Sequence, residues 1–113
     1  MANEKNKTAK IRELNDLLRT TFGAEGGRVV LTRGIAALEK RVLGEVIAAI
    51  QEFDEWGEND PHGEHDSVAV QVQGHSIFAK IDYFDLDHEM HSPDPSEPAV
   101  TRRLMTVMLA EEY

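Results

Sequence analysis

"SVAVQVQGHSIFAKIDYF", residues 67 to 84, is the stretch on which the fold turns. Val68, Val70 and Val72 alternate with Ala69, Gln71 and Gln73, Gly74 interrupts, and a second β-rich run follows. Period-two alternation on both sides of a glycine predicts a β-hairpin with its turn at Gly74. In the second run Ile77, Ala79, Ile81 and Tyr83 share one face, and Phe78, Lys80, Asp82 and Phe84 share the other. Lys80 then stands one pleat from Asp82, close enough for a same-face ion pair.

Moving outward from the hairpin, the pattern becomes helical. Ile11, Leu14, Leu17, Leu18 and Phe22 predict an amphipathic helix over "KIRELNDLLRTTF", with Thr8 as its cap and Gly23, Gly26 and Gly27 ending it. "RVVLT" (28 to 32) suits a strand. One long helix is expected from Ile35 to Phe53, because Leu38, Val42, Leu43, Val46, Ile47, Ile50 and Phe53 form a single stripe. Trp56 is expected to close its end against the core. On the C-terminal side, Asp94 or Glu97 precedes a proline suited to a first helical position, and Val100, Leu104, Val107 and Met108 predict a last helix with Arg102 and Arg103 on its shoulder. The expected order is α-β-α-β-β-α. This makes an α+β fold of three helices packed on a small, largely antiparallel sheet.

A chain of 113 residues, 41% of them hydrophobic, has room for one core, so residues 1–113 are read as a single domain with a disordered tail over 1–7. No apolar run approaches the roughly 18 residues that span a bilayer, and "MANEKNKTAK" lacks the apolar segment of a signal peptide. The expectation is a cytoplasmic protein without membrane contact. The absence of cysteine excludes disulfides, thiol nucleophiles and cysteine-based metal sites. Ser67, Ser76 and Ser92 lack a nucleophile-elbow context, and "GAEGG" (23 to 27) fits neither a P-loop nor a dinucleotide fingerprint.

Charge is unevenly distributed. Residues 1 to 41 hold nine bases and five acids, a net of +4, whereas Val42 to Thr101 hold Lys80 as the lone base against fourteen acids, a net of −13. Such a field disfavours contact between the middle of the chain and a phosphate backbone and favours a partner with a basic surface. The basic N-terminal helix retains the capacity to touch an anion.

Two polar clusters flank the hairpin. "NDPHGEHD" (59 to 66) supplies His62 and His65 with Asp60, Glu64 and Asp66; after the hairpin come Asp82, Asp85, Asp87, His88, Glu89 and His91. Pro61 and Gly63 deny the first cluster the helical spacing that aims two imidazoles together, so the plainer expectation is a solvated turn in which Asp60 and Asp66 cap backbone amides. The hairpin topology nevertheless brings Asp66 beside Asp82 to Asp85 at one sheet end. His62, His65, Asp66, Asp82 and Asp85 are thus the candidate ligands for a divalent metal activating water in a hydrolase.

"GGRVVLTRGIAAL", "FDEWGENDPHGEHD", "KIDYFDLD" and "SPDPSEPAVTRRLMTVMLAEEY" together resemble a small bacterial domain-of-unknown-function family, number 3768, over nearly the whole chain from Ile11 onward. In that family's pattern the first cluster reads like "DPHGEHDFG" and the second like "KIDYYD". Ser67 and Val68 stand here in place of "FG", and Phe84 in place of the second tyrosine. The matching positions, Asp60, His62, Glu64, His65, Asp66, Lys80, Asp82, Tyr83 and Asp85, make up the candidate binding site. The resemblance implies a stand-alone cytoplasmic protein carried among accessory or plasmid-borne genes, and it brings no activity with it.

The preferred expectation is a small acidic, non-catalytic binding protein whose partner presents a basic surface, with an inhibitor that mimics nucleic acid as its narrower form. No cofactor is expected on that reading, and no residue is assigned catalysis. The alternative is the metal-dependent hydrolase. Oligomeric state is left open.

Overall fold

The computed structural model describes residues 4–58 and 60–113. Its elements are α1 (Glu4–Thr21), β1 (Arg28–Leu31), α2 (Arg33–Ala36), α3 (Lys40–Gln51), β2 (Ser67–Val72), β3 (His75–Phe84) and β4 (Arg102–Leu109), with 3-10 turns at Pro98–Val100 and Ala110–Glu112. Three helices and a four-stranded sheet make the fold α+β. The strand order is β1-β4-β3-β2, with β1 parallel to β4 and the other pairs antiparallel. The sheet is mixed, and β1 and β2 are its free edges.

The hairpin forms where the alternation places it. Val68, Ile77, Ala79, Ile81 and Tyr83 are buried on the face that the helices cover, and the turn is Gln73-Gly74 with φ of 50° and 79°. Two consecutive positive φ values match the right-handed strand twist, and glycine takes the second without strain. Lys80 and Asp82 pair at 3.4 Å on the opposite face.

α1 begins earlier than its apolar stripe. Residues 4–7 of the expected tail form its first turn, residues 1–3 lie outside the described residues, and Thr8 sits inside the helix rather than capping it. Its C-terminus closes through two bonds, Phe22 N to the Arg19 carbonyl and Gly23 N to the Leu18 carbonyl, both 3.1 Å, with Phe22 left-handed at φ 48°. The helix expected from Ile35 to Phe53 is two helices. Leu38 N closes on the Ile35 carbonyl at 3.1 Å and Glu39 is extended, which separates α2 from α3 while Ile35, Val42, Val46 and Ile50 all remain buried.

The expected last helix is a strand, and it lies in the middle of the sheet. Arg103, Met105 and Val107 are buried at every second position, as a strand between two hydrogen-bonded neighbours requires. The helical spacing of Val100, Leu104, Val107 and Met108 arose because "LMTVML" is apolar almost throughout, and a short apolar run reads equally as buried strand or helix. The proline signal marks a single turn only: Glu97 accepts the Ala99 amide at 3.1 Å with Pro98 next to it. Thr101 then ends the turn, its hydroxyl donating to the Asp94 or Glu97 carbonyl at 2.9 Å and lying 2.8 Å from the buried Ser92 hydroxyl.

The C-terminus returns to the start of α2. Glu112 accepts from the Thr32 hydroxyl and from Gly34 N at 2.9 Å, so an acidic side chain satisfies one amide at the start of α2, 78 residues away in sequence, and it also accepts from Leu109 N at 2.8 Å at the end of β4. No described helix is long and apolar enough to cross a membrane.

Candidate functional site

The hairpin end is where the first polar cluster meets α1. Ile81 N donates to the Asp66 carbonyl at 2.8 Å, which sets Asp66 opposite Ile81, at the same sheet end as Asp82 but on the other face of the strand pair. Preceding residues form a chain of turns: Asp60 N reaches the Gly57 carbonyl at 3.0 Å, Gly63 N the Asp60 carbonyl at 3.1 Å, and His65 N the Asp60 carboxylate at 3.0 Å. Asp60 thus caps the loop as the expected turn required, but with its side chain largely buried rather than solvated. Asn59 lies outside the described residues.

α1 holds this loop down. Arg12 Nε donates to the Gly63 carbonyl at 2.7 Å, and Asn15 Nδ2 lies 2.9 Å from the Glu64 carbonyl and 2.7 Å from the Tyr83 hydroxyl. Tyr83 donates in turn to Glu64 Oε1 at 2.8 Å. From the other side Arg103 Nε donates to Asn15 Oδ1 at 2.7 Å, its terminal nitrogen bonds the Pro95 carbonyl, and its guanidinium lies 4.9 Å from the Tyr83 ring centroid. Asn15 is fully buried and Arg103 nearly so. The network therefore runs Glu64–Tyr83–Asn15–Arg103 through four segments, with every polar atom named in it paired, as burial demands.

A second cluster lies one turn along α1. His65 Nδ1 is 2.8 Å from Asp16, and its ring stacks on Trp56 at 3.8 Å with 6° between planes. Trp56 meets Phe53 edge-on at 4.7 Å, so it closes the end of α3 and also forms the platform for His65. Arg19 places its guanidinium 5.1 Å from the Trp56 ring, donates to the Ile50, Gln51 and Phe53 carbonyls at the end of α3, and bonds Asp16 at 3.2 Å. His65 itself is left-handed at φ 56°, a conformation that persists because Asp60, Asp16 and Trp56 all fix it.

These contacts shape the electrostatics. Burial first, then the hydrogen bond to Glu64, raises the Tyr83 phenol far above its ordinary range, outweighing the opposing bond from Asn15. The protonated phenol donates to Glu64 and accepts from Asn15. Burial also raises the Asp66 carboxyl, helped by Glu64 and Asp60 and opposed by its own backbone amide and His62. At the far end Asp85 is lowered, chiefly by the Glu89 amide that it accepts at 3.0 Å.

The nine positions shared with the family pattern therefore separate. Asp60, Glu64, His65 and Tyr83 are joined in the two clusters; Asp66, Lys80 and Asp82 border a shallow cleft of about 320 Å³ with Glu89 and His91; His62 is exposed; and Asp85 closes its own turn. Among the described residues, no three His, Asp or Glu side chains come together as a group able to hold a metal. Asn15, Asp16, Arg19 and Arg103 entered no sequence-based candidate set. A signal for two of them was present, since Asn15 and Arg19 lie at helical spacing from the buried Ile11 and Leu18 and so fall on the apolar face.

Comparison with known proteins adds one finding. The model of the family described as "Protein of unknown function (DUF3768)" matches residues 31–112, whereas the resemblance read from the sequence began at Ile11. Neither the curated proteins nor the solved structures gave a match to the chain. With 82 of its 113 residues, 31 through 112, under one family model and both polar clusters inside that span, the chain belongs to the DUF3768 family.

Proposed function

We propose that this protein is a non-catalytic binding protein that docks a basic surface of another protein along the β2 edge of its sheet. The carrying observation is the run that leaves α3. Glu52, Asp54, Glu55 and Glu58 are all exposed, and none pairs with a cation among the described residues. Beside them Phe53, Ala69, Phe78 and Tyr113 line two adjoining clefts of about 470 and 400 Å³ along β2. Unpaired acids around partly exposed aromatic rings suit a cationic partner, because charge steers encounter and buried rings supply the affinity.

Two of the bases of α1 are engaged elsewhere than on this run. Arg12 is engaged with Gly63, and Lys7 pairs with Asp94 at 3.6 Å on another part of the surface. An accessory protein of mobile genetic elements that occupies the nucleic-acid site of an enzyme is the narrower form of the reading.

The test is a variant carrying Glu52→Gln, Asp54→Asn, Glu55→Gln and Glu58→Gln. Wild type used as bait in extract of the source cell should retain a basic protein that the variant releases, with the melting temperature of the bait unchanged. Equal retention by both baits contradicts the proposal.

A further inference from the structure

The opposite edge of the sheet has the opposite character. Around β1 lies a cleft of about 890 Å³ whose lining includes Leu17, Val30, Leu86 and Leu104 together with Arg28 and Arg102. That volume falls in the range of small-molecule sites, roughly 300–1,000 Å³. Leu17, Val30 and Leu86 are 39%, 40% and 47% exposed, an unusual concentration of bare apolar surface for so charged a chain.

The two arginines are placed by register. Arg28 is the cross-strand partner of Leu104, and Arg102 lies two residues before Leu104 on β4, so all three share the sheet face away from the helices. Arg28, directly opposite the apolar Leu104, and Arg102, two residues before it, are thus diagonal neighbours, a separation that one small anionic group can bridge. Both are exposed, and neither forms an ion pair or side-chain hydrogen bond among the described residues. In a chain of net charge −9, two unpaired guanidinium groups over an apolar floor select for an anion with an apolar body.

We infer that this cleft binds a small amphiphilic carboxylate, its head between Arg28 and Arg102 and its apolar body along Leu104, Val30 and Leu86. The inference is independent of the acidic edge, since the cleft lies across the full width of the sheet from β2.

The probe is sodium decanoate below its micellar concentration, followed by backbone amide shifts, with decan-1-ol and inorganic phosphate as comparisons. Saturable shifts centred on Arg28–Val30, Leu86 and Leu104 are expected, with decanol weaker by about tenfold or more and phosphate alone without effect. The Arg28→Gln, Arg102→Gln double variant, which removes only exposed side chains, should match decanol in its affinity for decanoate. Absent saturation, shifts centred elsewhere, or equal binding by the double variant would overturn the assignment.

Discussion

Tyr83 and Glu64 share a hydrogen bond of 2.8 Å that joins the central part of the sheet to the loop before β2. Asn15 bonds both residues from α1, and Arg103 holds Asn15 from β4. Residues far apart in sequence are thereby closed into one buried network, and the most chemically suggestive stretch of the chain becomes a fastening.

Tyr83→Phe tests the fastening with the smallest change. It deletes one hydroxyl, leaves Glu64 without its donor in a partly buried place, and should cost about 1–3 kcal/mol in chemical unfolding at neutral pH. Tyr83→Phe unfolding at the wild-type denaturant midpoint would show that the network contributes nothing.

Asp66 and Glu112 give opposite pH signatures. Burial raises the folded-state value of Asp66 above the ordinary 3.8, so its protonated form favours the fold below that value, and the contribution is lost as pH rises through the folded value. Asp66→Asn should therefore raise the melting temperature relative to wild type near neutrality and leave it level in strong acid. For Glu112 the Thr32 hydroxyl and then the Leu109 and Gly34 amides lower the folded value below the ordinary 4.5. Its stabilisation is present above 4.5 and lost as pH falls through the folded value, so Glu112→Gln should lower the melting temperature at neutral pH only. Thermal melts of both variants across acid to neutral pH check the two signs together.

Gly27→Ala probes the tight entry into β1. A Cβ at Gly27 would lie 2.5 Å from the Arg103 carbonyl oxygen, a backbone atom that cannot swing aside. The variant should lose more than about 1 kcal/mol, and Gly44→Ala, where a Cβ meets nothing within 4 Å, should not. Denaturant midpoints of the two compare them directly.

The sequence was most legible where one periodicity had no rival. Alternation over 67 to 84 specified β2, β3 and their shared turn, and hairpin topology placed Asp66 opposite Ile81, on the same sheet end as Asp82. It was least legible in "RRLMTVML", where apolar residues are so dense that two periods fit and the decisive fact, pairing with β1 and β3 on both sides, is non-local. The same non-locality hid the site. Arg103 reads as a solvent-facing charge until β4 is a strand, and only then does it turn inward to Asn15 and Tyr83.

Metal addition separates the two functional readings. His65 lies between Asp16 and Asp60 against Trp56, and His62 is exposed, so zinc, manganese and magnesium should leave the melting temperature unchanged. Stabilisation that His62→Ala and His65→Ala abolish would support the hydrolase instead.

The central claim, docking of a basic partner on the acidic β2 edge, is tested most directly by the salt dependence of the isolated complex. Between about 0.05 and 0.5 M salt the screening length falls from roughly 14 to 4 Å. Affinity should drop by about tenfold or more, chiefly through slower association, because exposed unpaired acids act at long range. An affinity that stays constant across that range would contradict the account.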